Sequence, residues 1–89
     1  MKAASEEHIA KAFQARALEP IVYVNRAAIE LNNGNLKKAM EDANTSLSRD
    51  SWLKEGFETR ARIRQKLNDS AGAALDLSRA EKLISHLDI

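Results

Sequence analysis

The chain has 89 residues, 14 Lys+Arg against 13 Asp+Glu for a formal net charge of +1, and no cysteine. That length holds a single domain, and the even charge balance argues against both a disordered acidic tail and a strongly basic nucleic-acid clamp. The absence of cysteine removes disulfides, thiolate metal sites and a cysteine nucleophile.

No segment reaches the roughly 18–20 apolar residues of a membrane span. The opening MKAASEEHIAKA carries charges where a signal peptide has its apolar core. A soluble, cytoplasmic chain without membrane insertion is therefore expected. Three Gly, one Pro and four aromatics (Phe13, Tyr23, Trp52 and Phe57), with abundant Ala and Leu, make the composition helix-rich.

In chain order, Ser5 suits the N-cap of a first helix that bears Ile9, Ala12, Phe13 and Ala17 on one side. Pro20 suits the first turn of a second helix, which continues through Arg26 to Leu31 and stops near Asn33. The stop comes from Asn32-Asn33-Gly34-Asn35, because Gly and Asn tolerate the left-handed backbone that ends a helix. Ile21-Val22-Tyr23-Val24 would also suit a buried strand, but no second β-rich run exists to pair with it. Leu36, Ala39, Met40, Ala43 and Leu47 fall on one face of a third helix. Ser51 is a candidate N-cap for a fourth helix burying Leu53, Phe57, Ala61, Ile63 and Leu67. Asn68-Asp69-Ser70 ends that helix and caps a fifth, whose apolar face is Ala73, Ala74, Leu77, Ala80, Ile84 and Leu87.

Catalytic chemistry finds no constellation. His8 and His86 stand far apart, with no Gly-rich phosphate loop or acid–base cluster around either, and read as solvated helix residues. No set of ligands converges for a metal, and no cofactor is implied. Arg60-Ala61-Arg62-Ile63-Arg64-Gln65-Lys66 is basic, but helical geometry sends Arg62 and Lys66 outward and turns Arg60 and Arg64 towards the buried stripe. Without an aromatic stacking platform, RNA binding is the weakest of the functional readings.

Sliding the chain against itself until Tyr23 falls on Phe57 also pairs Arg26 with Arg60, Ala27 with Ala61, Ile29 with Ile63, Ala39 with Ala73 and Asp42 with Asp76. A period of about 34 with two helices per unit signals stacked helical hairpins. Ala27, Ala39, Ala61 and Ala73 then fall where helices come closest, so a longer side chain there would overpack at roughly 1–3 kcal/mol.

On these residues, and on Tyr23-Val24-Asn25-Arg26-Ala27-Ala28 followed by Gly34-Asn35-Leu36-Lys37-Lys38-Ala39-Met40-Glu41-Asp42, the segment 20–53 resembles a tetratricopeptide repeat. Residues 54–87 resemble a second repeat through Phe57, Arg60, Ala61, Leu67, Asn68, Asp69, Ala73 and Ala74, and 3–17 resembles the second helix of an incomplete one. Ser51 replaces the family's usual proline, Asn68 its turn glycine, and Ser70 the bulky residue matched by Leu36. The resemblance implies an all-α solenoid of about five antiparallel helices over 1–89, acting as a protein–protein interaction module or scaffold rather than an enzyme.

In that family the first helices of successive repeats line a concave groove that takes a peptide or partner helix. Carried over, the groove is Asn25, Ala28 and Asn32 with Ile21, Val24 and Leu31 from one repeat, and Glu55, Thr59, Arg62 and Lys66 with Glu58 and Gln65 from the next. A co-chaperone branch grips carboxylate-ending tails with Lys, Arg and Asn. Asn25 resembles the clamp asparagine, whereas Glu55 and Thr59 stand where that clamp has cations, and a Glu repels a carboxylate.

The alternative to a groove is self-association, since stable arrays usually need about three units and polar terminal caps, and Leu77, Ile84, Leu87 and Ile89 leave the final face apolar. Glu30 and Arg64, one repeat apart on the inward sides of their helices, either meet as an ion pair at the repeat junction or run out to solvent over their aliphatic stems.

Overall fold

Two turns of the chain, one sequence period apart, are built alike. In the first, Gly34 adopts φ +82°, its N–H donates to Leu31 O at 3.1 Å, and the Asn35 N–H reaches back to Glu30 O at 2.8 Å. In the second, Asn68 adopts φ +63°, its N–H donates to Gln65 O at 3.1 Å, and the Asp69 N–H reaches Arg64 O at 2.8 Å. Each is a Schellman stop, which satisfies the last carbonyls of a helix through a left-handed residue. Gly enters that region without strain, and Asn is among the few other residues that do so at low cost.

These stops organise a computed structural model that describes residues 20–83. Helix α1 occupies 20–32, and α2 (Leu36–Arg49), α3 (Lys54–Lys66) and α4 (Ser70–Glu81) follow. Among the described residues the regular structure is helical throughout, and 21–24 is helix rather than strand. The helix expected over 3–17 lies outside the described residues, as do Ile84 and Leu87 of the expected fifth helix.

Each stop folds one helix back on its predecessor. Ala27 and Leu31 of α1 pack with Ala39 and Ala43 of α2, and Ile63 of α3 closes the same cluster. A second cluster joins Val24, Leu47, Leu53, Phe57 and Ala80, so α3 touches material from α1, α2 and α4. The α2–α3 approach is close: a Cβ on Gly56 would lie 2.8 Å from Leu47 Cδ2 and 3.2 Å from Ser46 Oγ, too near for any other residue without a shift.

Three expectations about local structure need correction. The N-cap of α3 is Leu53, not Ser51. The turn is held instead by the Asp50 carboxylate, whose Oδ1 accepts the Trp52 N–H at 3.0 Å, while Leu53 is fully buried. Leu67 is 48% exposed, because the α3 stop carries it past the last packed turn. On α4 the inward residues are Ala73, Asp76 and Ala80, whereas Ala74 and Leu77 face out, because α4 turns that first set towards α3.

Candidate functional site

Where helix faces meet, the chain buries two carboxylates. Asp42 on α2 accepts Arg26 Nε at 2.9 Å and the second guanidinium nitrogen at 2.8 Å, and Asp76 on α4 accepts the same fork from Arg60 at 3.0 and 2.8 Å. The same arginines lie over aromatic rings, Arg26 at 5.1 Å from the Tyr23 centroid and Arg60 at 5.6 Å from that of Phe57, distances at which cation–π attraction operates. Hydrogen bonding from Arg26 holds the Asp42 carboxyl below the usual range, and the same bond raises the arginine. Both carboxylates are tied up by guanidinium forks, an arrangement that fixes helices to one another.

The second hairpin has a larger network. Arg64 also donates to Asp76 Oδ2 at 2.9 Å, and the remaining Arg60 nitrogen donates to Asn44 Oδ1 at 3.0 Å, so Arg60 spans α2, α3 and α4. Arg64 Nε stands 3.7 Å from Asp69 Oδ2. This overturns a Glu30–Arg64 pair, and Arg64 does not simply run out to solvent. Glu30 Oε2 instead accepts from Asn35 Nδ2 at 2.9 Å. The 30/64 position thus finds its partners within its own hairpin: Glu30 bonds the residue five further on, and Arg64 stands near the equivalent Asp69 while its short hydrogen bond goes to Asp76. The polarity is swapped: acid to amide in the first unit, base to acid in the second.

Between α1 and α3 lies a cleft of about 460 Å³ with Leu31 at its base and Asn32, Arg62, Gln65 and Lys66 around it. Arg62 and Lys66 are four residues apart on α3, hence neighbours on one helix face, and among the described residues neither has an ion-pair partner. Of the residues expected to form a groove, Asn32, Arg62 and Lys66 are brought together here. Asn25, exposed, and Ala28, half-buried, continue the same face of α1 towards its start. Thr59 is buried, 7% exposed, and Glu55 is half-buried in the first turn of α3.

A second surface was not foreseen from the sequence. Trp52, Arg79, Lys82 and Leu83 surround a smaller hollow beyond the α2–α3 turn; the available signal was the lone tryptophan in a turn rather than on a helix face. Among the described residues no group of three His, Cys, Asp or Glu could hold a metal ion, and no helix is long and apolar enough to cross a membrane. His8 and His86 lie outside the described residues. Set against family models, curated proteins and solved structures, the chain matches none.

Proposed function

We propose that this chain is a tetratricopeptide-like stack of helical hairpins that recognises a peptide or partner helix and carries out no chemistry of its own. The observation that carries the reading is the α1–α3 cleft, where an apolar base at Leu31 is rimmed by two amides and by the unpaired cations Arg62 and Lys66. Such a mixture suits recognition of an extended or helical segment: apolar contact supplies affinity, while the cations orient the ligand and speed encounter. The duplicated Arg–Asp forks and Schellman stops support the repeat assignment. A carboxylate clamp is not part of the reading, since Glu55 and Thr59 occupy its cationic positions and Thr59 is buried.

Selection of a displayed random-peptide library on the full chain tests this. Peptides should be enriched whose binding is lost in Asn32→Ala and in Arg62→Ala/Lys66→Ala. Enriched peptides indifferent to all three substitutions would place recognition elsewhere.

Self-association is a second reading, favoured by Leu75 and Leu77, which are 52% and 40% exposed on the outward side of α4. Sedimentation at micromolar concentration distinguishes it: dimers abolished by Leu77→Lys would support it, and a monomer would exclude it.

A further inference from the structure

Trp52 is the most exposed large apolar side chain among the described residues, at 75%. Its turn is anchored on both sides, since Asp50 Oδ1 takes its N–H at 3.0 Å and the next residue, Leu53, is fully buried. The backbone that carries the indole is therefore fixed, and the indole itself stays exposed. Beside it lies an open hollow of about 290 Å³ lined by Ser51, Trp52, Phe57, Arg79, Lys82 and Leu83.

The described charges that line this hollow have one sign, the Asp50 carboxylate standing behind the turn on the Trp52 N–H. Among the described residues its ionised lining groups are Arg79 and Lys82, no carboxylate lines it, and neither cation has an ion-pair partner. The Arg79 guanidinium lies 5.9 Å from the Phe57 ring centroid. Cations near the end of α4 complement the helix dipole, but that accounts neither for two of them nor for the indole alongside. The first hairpin serves as an internal control: at the positions equivalent to Arg79 and Lys82 stand Thr45 and Ser48, whose hydroxyls donate to Glu41 O and Thr45 O at 2.8 Å each. The hairpin thus forms with uncharged residues at those positions.

We propose that this hollow is a docking site, separate from the α1–α3 cleft, for a peptide segment that places a bulky apolar side chain next to an acidic one. The apolar group packs between Trp52 and Leu83, and the carboxylate faces Arg79 and Lys82. Aromatic anchors with flanking charge are the arrangement in which a small interface concentrates its binding energy, and the two lining cations discriminate against basic or neutral segments.

Trp52 is the chain's only tryptophan, so its emission reads this site directly. A positional-scanning library of blocked hexapeptides is titrated against the full chain. Mixtures holding Leu, Ile or Phe beside Asp or Glu are expected to shift the emission to the blue, and Arg79→Glu/Lys82→Glu to weaken the response about tenfold or more. Lys82→Gln, a milder change at an exposed position, should weaken it in the same direction, with far-UV circular dichroism unchanged in both variants. Arg62→Glu in the other cleft should leave the shift intact. The proposal is overturned if no mixture shifts the emission, if the shift ignores peptide charge, or if Arg62→Glu abolishes it. A shift produced by anionic vesicles alone, or by raising protein concentration with no peptide, would also overturn it by naming a membrane or a second copy as the occupant.

Discussion

Arg26 and Arg60 hold equivalent positions in the two hairpins, and each forks onto a buried aspartate 16 residues further along, Asp42 and Asp76. The two forks are not energetically equal. Arg26 keeps half of its side-chain surface in water, whereas Arg60 keeps 14% and its aspartate none, and Arg64 and Asn44 join only the second network.

Asp76→Ala should therefore cost more than Asp42→Ala. Removing Asp76 takes the shared carboxylate from two guanidinium groups at a helix contact, a loss of about 3–5 kcal/mol by analogy with other buried pairs broken on one side. Removing Asp42 leaves an arginine that can reach solvent, so about 1.5–3 kcal/mol is expected, the range of lost hydrogen bonds to charged groups. Urea unfolding of the two variants checks the order.

Acid should destabilise the first fork. Because the folded-state pKa of Asp42 lies below its unfolded value, the unfolded chain binds more protons as pH falls. The contribution of Asp42 is then complete above the ordinary carboxylate range and disappears as pH drops through the lowered folded value. A melting-temperature series from neutral to acid pH should fall less steeply in Asp42→Asn than in the parent.

The left-handed turns make opposite predictions. Gly34→Ala puts a Cβ into open space yet onto a residue with φ +82°, so backbone strain alone should cost about 1–2 kcal/mol. Asn68→Gly relieves a φ of +63° and should be neutral to stabilising by about 0.5 kcal/mol after the entropy of the unfolded glycine is set against it. Thermal unfolding separates the two.

A double-mutant cycle on Glu30→Gln and Arg64→Met should be additive to within about 0.5 kcal/mol, because each side chain has its partners in its own hairpin. A larger coupling would mean that the two meet across the junction after all.

The helices were legible because their apolar spacing and stop residues are local properties. Asn32-Asn33-Gly34-Asn35 marks a break whatever it packs against, and the repeat step announces that a second break follows at Asn68. What α4 buries was not legible. Leu77 looks like core, and Asp76 looks like surface until its two arginines are known to converge from α3. Neither reading of Glu30 and Arg64, a junction ion pair or two solvated side chains, describes them, because each has a nearer partner in its own hairpin: Asn35 for Glu30 and Asp76 for Arg64. Of the groove, the α1–α3 residues were named only through the family resemblance, while Trp52 belongs to no helical face and no motif, so neither periodicity nor resemblance pointed to it.

Arg60 has a consequence for how the molecule comes apart. Its guanidinium holds Asn44 and Asp76 at once, so neither α2 nor α4 can peel from α3 without disturbing the same side chain. Arrays of repeats commonly fray from one end, because each unit answers only to its neighbour. Here α2 and α4 share a fastening, and their amide hydrogens should exchange through a common opening event, with Arg60→Leu splitting that event into two.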